Sequence, residues 1–308
     1  MKTARFEILV GMIIAASSVG ARGIVCGPCG GPSTSTIPVL PPSDGSDAGT
    51  DAGDYLAEAC EQMCAGGECT PTTIETADGP IPAIECTTEV GCYAGRRPSG
   101  LASLPDHHSD ATATWLARMA FLEAASVDAF RCLRRDLAAH RAPRRLLRAA
   151  SRAARDEQRH TRRMTALARR HGTSVEASNP SSAPPPSLEE LATQNAIEGC
   201  VREAYGAVVA RWQASAAADR EIGATLDRIA AEEARHAVLA FQIDAWARAR
   251  LSPSARARID RARADAARAL LAEASRPVPE TLVRNAGHPD RETASRLAQS
   301  MIAALGLL

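Results

Sequence analysis

The chain has 308 residues, 45% hydrophobic and 23% charged, enough for one sizeable domain with appendages or two small ones. Basic and acidic residues both total 36, so the whole-chain charge makes no case for nucleic acid or an anionic membrane surface as a partner. Aromatics at 3% are too few for a β-sandwich or barrel, so composition points to an all-α chain.

Lys2 and Arg5 precede a mostly apolar run from Ile8 to Ala21, which reads as an export signal over residues 1–21. Val19-Gly20-Ala21 supplies small residues for cleavage, which predicts a periplasmic or extracellular protein. Cys26 offers a rival reading, a lipid anchor, but Val25 before it is bulky and favours cleavage. No later segment is long and apolar enough to span a membrane. Residues 22–53, rich in Gly, Pro, Ser, Thr and Asp, are expected to be a flexible linker. Within them Cys26-Gly27-Pro28-Cys29 matches a redox motif in letters only, since it follows no strand and opens no helix.

Residues 54–100 carry Cys60, Cys64, Cys69, Cys86 and Cys92, the pattern of a small disulfide-stapled module. Five is odd, and connectivity stays open. Zinc is the rival, but no His lies among these cysteines.

From Asp110 the texture becomes helical. Helix one is expected over Ala111–His140 and helix two from Pro143 to about Arg170, stopped by His171-Gly172. Residues 172–187, with four prolines, predict a long structureless crossover. Ser187 with Glu190 resembles a capping box opening helix three, which is expected to run to Ala217. Helix four follows over Arg220–Leu251. A Ser252-Pro253 break precedes a fifth helix to Ala274, and a short helix is expected from Arg291. This gives a bundle over residues 110–251 and a helical extension over 252–308. Lys2 is the only lysine, and the many arginines read as a coding bias spread along helices.

Two related stretches stand out: Asp156-Glu157-Gln158-Arg159-His160 and Glu232-Glu233-Ala234-Arg235-His236. Residues three apart share a helix face, so Glu157 with His160, and Glu233 with His236, can each grip one metal ion. The apolar register places both pairs inward. Helix two reads Leu146, Ala150, Ala153, Glu157, His160, Met164, Leu167, and helix four reads Leu226, Ile229, Glu233, His236, Ala240, Ile243. Helix one puts Glu123 in phase between Met119 and Ser126. Helix three puts Glu198 in phase with Val201, Tyr205, Val208 and Trp212. Glu203 lies about 140° from Glu198 and would enter only if the helix were locally π-wound. Four buried carboxylates without counter-charge would cost several kcal/mol each, whereas two divalent cations neutralise them. Carboxylates with imidazoles suit iron or manganese, with zinc also open. Asp156 and Glu232 read as solvated or outer-sphere groups. Tyr205 is the candidate redox tyrosine, although core packing is its commoner role. Cys132 and Cys200 read as small buried residues that could also form a bridge.

Glu123, Glu157 with His160, Glu198, and Glu233 with His236 resemble the ligand set of the ferritin-like superfamily over about residues 110–250. The stretch Ala196-Ile197-Glu198-Gly199-Cys200-Val201-Arg202-Glu203 looks like the third-helix segment of exported bacterial ferritin-like proteins. The resemblance implies a four-helix bundle with a long crossover and two divalent metal ions, di-iron or mixed iron and manganese. Family members act on O2 or peroxide as ferroxidases, peroxidases, manganese catalases and oxygenases. Paired Cys-x-x-Cys knuckles, which deliver electrons in rubrerythrins, are missing, and the appendages argue against an iron-storage cage. The expectation is an exported oxidoreductase in which each Glu-x-x-His holds one metal while Glu123 and Glu198 bridge or cap. A non-catalytic metal-binding or surface-interaction protein is the alternative.

Overall fold

A computed structural model describes residues 33–39, 56, 68–76, 79–88, 110–173 and 185–308. The expected signal, Cys26, Cys29, Cys60, Cys64, Cys92 and residues 174–184 of the crossover lie outside the described residues. The chain divides into a small β unit and a large helical one.

The β unit is an antiparallel sheet of β1 (Ser33–Pro38), β2 (Glu68–Thr76) and β3 (Gly79–Thr88), in the order β1-β3-β2. Thr70, Thr72, Thr73 and Ile74 give β2 the β-branched content that suits a strand. Thr76 pairs with Gly79 across a two-residue hairpin, and Gly79 takes φ +110°, a conformation that favours glycine. Cys69 stands opposite Cys86 in the ladder. β1 falls inside the stretch expected to be a flexible linker. Its Thr34, Thr36 and Ile37 favour a strand, and β3 supplies the partner that composition alone does not reveal.

The helical unit follows the predicted order closely. Asp110 caps α1 (Ala111–Ala139) by accepting from the amides of Thr112 and Ala113. Pro143 sets the start of α2 (Arg144–Arg170). Ser187 and Glu190 complete the capping box that opens α3 (Leu188–Gln194). The rod then continues through a π-helical segment, Asn195–Glu203, into α4 (Ala204–Ala216). Asp219 caps α5 (Arg220–Arg248), and Ser252 with Pro253 opens α6 (Pro253–Glu273). A seven-residue helix that was not expected, α7 (Glu280–Ala286), precedes α8 (Arg291–Leu305). No described helix is long and apolar enough to cross a membrane.

α1 packs on α2, α4 on α5, and α2 on α5; the π segment packs on α5 and α6. Two apolar layers result along α1, α2 and α5. One holds Leu116, Met119, Met164, Leu167, Leu226 and Ile229. The other holds Phe130, Leu133, Ala150, Ala153 and Ile243. Between them in sequence, on all three helices, lie Glu123, Glu157 with His160, and Glu233 with His236. The apolar registers predicted for these helices are buried throughout. A third cluster, including Val201, Tyr205, Val208, Leu270 and Leu297, joins the rod to α6 and α8.

Candidate metal centre

Glu123, Glu157, His160 and Glu233 form a buried group whose ligand atoms all lie within 4.8 Å of one another, a group that can hold a metal ion. His160 Nδ1 stands 3.2 Å from Glu123 Oε2, 3.4 Å from Glu157 Oε2 and 3.1 Å from Glu233 Oε1. His236 Nδ1 stands 3.2 Å from Glu157 Oε1 and 3.3 Å from Glu233 Oε2. Glu157 and Glu233 therefore each lie against both imidazoles. This differs from the expected division, in which each Glu-x-x-His served its own metal. The cause is packing: α2 and α5 press the same helix turns together, so each carboxylate reaches its own histidine and its neighbour's.

The outer nitrogens of the imidazoles face acids of the opposite helix. His160 Nε2 donates to Glu232 Oε2 at 2.9 Å, and His236 Nε2 lies 3.5 Å from Asp156 Oδ2. Each acidic residue preceding a motif glutamate thus serves the histidine of the other helix. A carboxylate there fixes the proton on Nε2 and leaves Nδ1 as the inward lone pair. Asp156 and Glu232 are held in turn by arginines. Arg159 Nη2 donates to Asp156 Oδ1 at 2.5 Å and to Glu232 Oε1 at 2.7 Å. Arg235 Nη2 lies 3.3 Å from Glu232 and 3.6 Å from Asp156. These arginines were not anticipated. The signal was available, because the two stretches match as acidic–Glu–x–Arg–His and not only as Glu-x-x-His.

Charge is the governing problem of this layer. Burial pushes the Glu123 carboxyl well above the usual range, with His160 offsetting only part of the effect. Burial alone would depress both imidazoles, but Glu123 beside His160 and Glu233 beside His236 hold them well above theirs. Burial would raise Glu157, yet the two histidines pull it well below the carboxylate range. The His160 hydrogen bond draws Glu232 down to about 2. Glu123 Oε2, both Glu157 oxygens, His160 Nδ1, Glu233 Oε1 and His236 Nδ1 are buried without a well-formed hydrogen bond. An unsatisfied buried polar atom costs about 1–3 kcal/mol, so six in one layer are out of place in a merely structural core. Carboxylate oxygens and imidazole nitrogens converging on one buried point are, once the imidazole protons leave, the donor set of a divalent cation.

The rod departs from the sequence reading. Glu198 is half-buried, with Arg202 Nε 3.9 Å from its Oε1, whereas Glu203 is 1% exposed. Neither belongs to the four-residue group. The π winding explains the shift: i→i+5 bonding inserts extra residues per turn and brings positions five apart toward one face. Arg202 donates a bidentate pair to Glu273 of α6, at 2.8 and 3.1 Å, with both side chains buried. Tyr205 donates its hydroxyl to the Ala294 carbonyl at 2.9 Å and serves as packing against α8. No disulfide joins Cys132 and Cys200. Comparison with family models, with curated proteins and with solved structures gives no match to this chain.

Proposed function

We propose that the helical unit is a ferritin-like four-helix bundle, built from α1, α2, the α3–α4 rod and α5, that holds two divalent metal ions. The observation that carries this reading is the buried group Glu123, Glu157, His160 and Glu233, with His236 against it and the inward atoms lacking hydrogen bonds. Glu157 and Glu233, each beside both imidazoles, would be placed to serve either ion. Glu123 serves the His160 side. Glu198 or Glu203 of the π segment is the remaining acid. Iron suits this donor set best and manganese next. A redox-active pair of such ions would supply electrons to O2 or peroxide, which makes the protein an oxidoreductase.

The chain's own residues prepare for that chemistry. Glu232 holds the outer proton of His160 and aims its Nδ1 inward, and Asp156 lies 3.5 Å from the outer nitrogen of His236. Arg159 and Arg235 fix those two acids. The apolar layers flanking the site keep water from competing for the ligands. An export signal and a disulfide-stapled N-terminal module are part of the same proposal, in which this chemistry lies outside the cytoplasm.

Elemental analysis of purified protein, followed by anaerobic Fe(II) titration and exposure to air or peroxide, tests the reading. Two equivalents per chain and repeated turnover are expected. A stoichiometric, inert complex would leave a metal-binding protein without turnover, and absence of metal would remove the centre altogether. His160→Ala should weaken metal binding by at least about 100-fold, since even outer partners of metal ligands are worth about 10–100-fold. Unchanged two-metal stoichiometry and affinity in that variant would refute the ligand assignment.

A further inference from the structure

The balance of 36 basic and 36 acidic residues conceals a segregation. Residues 41–90 hold eleven acidic residues and no basic one, leaving 25 acidic against 36 basic elsewhere. The excess is concentrated on α2, whose 27 residues include ten arginines. At 100° per residue all ten fall within an arc of about 120°. The two acids of α2, Asp156 and Glu157, are both buried, so its solvent face has no negative charge of its own. Arg144, Arg145, Arg148, Arg152, Arg155 and Arg162 are exposed and form no ion pair among the described residues.

Coding bias does not account for this face. Elsewhere arginines commonly meet acids: Arg258 with Glu189 at 2.6 Å, Arg263 with Asp260 at 2.8 Å, Arg296 with Glu292 at 2.7 Å. On α2 like charges recur every three and four residues, a spacing that costs a few tenths of a kcal/mol per pair. An opposing anionic surface removes that cost.

We propose that the outer face of α2 docks the protein onto an anionic lipid bilayer. From Arg145 to Arg169 the basic stripe extends about 36 Å along the helix axis, long enough to meet several headgroup phosphates of a flat bilayer. Guanidinium groups match phosphate oxygens bidentately. The face carries no large apolar side chain, so attachment is electrostatic, without insertion, and reversible by salt. Nucleic acid fits less well: α2 has no aromatic residue on which bases could stack.

The test is sedimentation of the full chain with phosphatidylcholine vesicles, with and without about one-third phosphatidylglycerol. Binding only to the anionic vesicles, falling as salt rises, is expected. Basic residues near such a surface contribute about fivefold each, so Arg145→Gln, Arg148→Gln, Arg152→Gln and Arg155→Gln together should lower partitioning by several hundredfold. Arg256→Gln with Arg261→Gln on α6 should leave it within about twofold of the parent if the α2 face alone docks. Equal binding to neutral vesicles, no binding at all, or equal loss in both variants overturns the proposal. So does duplex DNA displacing the protein from anionic vesicles at equal phosphate concentration. Thermal melts confirm that each variant is folded, because Gln and Arg have similar helix propensity.

Discussion

In the proposed centre, protons and a metal would compete for the same charges in the buried layer. Glu123 and both imidazoles have raised affinity for protons because carboxylates crowd a space shielded from water. The sign follows directly. Groups whose folded pKa exceeds the unfolded one stabilise the fold at low pH and lose that contribution as pH climbs through the raised value. For the imidazoles the loss starts near the unfolded value of 6.5. Metal-free protein should therefore lose stability as pH rises above about 6.5. Saturating metal expels the protons and should abolish or reverse that slope. Melting curves with chelator and with metal, across this range, check both halves. Calorimetry in buffers of different ionisation enthalpy should register proton release on metal binding. Absence of release would mean that the metal binds elsewhere.

At the scale of elements, stability depends on contacts that local sequence barely advertises. α7 ends at Gly287, with φ +62°, tucked against the end of α4. A Cβ there would lie 2.3 Å from the Ala217 amide nitrogen and 2.8 Å from the Gln213 carbonyl oxygen. Backbone cannot yield as a side-chain tip can, so Gly287→Ala should cost about 3 kcal/mol or more, read as a shift in denaturant midpoint. The corner is also tied by Ala218 N to Arg284 O at 3.0 Å and Asp219 N to Asn285 O at 3.1 Å. Arg202→Met should cost about 3–5 kcal/mol by stranding Glu273, and adding Glu273→Met should recover most of it. Seven residues between Pro279 and Gly287 are too few to show a period, which is why α7 was invisible in the sequence. The long helices were legible because Glu123, Glu157, His160, Glu233 and His236 fall in phase with apolar steps of three and four. The rod was less legible, because its winding is not written in the apolar steps. Asn195–Glu203 is π-wound and packs against α5 and α6, whereas Ala-Ile-Glu-Gly-Cys-Val spells an ordinary helix. Asn195 anchors the start of that segment by donating to the Ala240 carbonyl at 2.9 Å.

For the molecule as a whole, the polar layer interrupts an apolar interior that the flanking residues could have continued. Its five ionisable groups contribute little to holding the fold together, because desolvation offsets their mutual attraction. Replacing the layer should therefore separate stability from metal binding. The combination Glu123→Met, Glu157→Met, His160→Leu, Glu233→Met and His236→Leu joins the two apolar layers into one. In metal-free protein it should be neutral or stabilising by about 1–4 kcal/mol, while removing all metal from the bundle. Chelator should then leave its melting temperature unchanged. The parent should lose about 4 kcal/mol when metal at 1,000 times its dissociation constant is withdrawn. A quintuple variant that unfolds, or that melts well below the metal-free parent, would mean that the layer is a structural network, and the metal centre would lose its main physical argument.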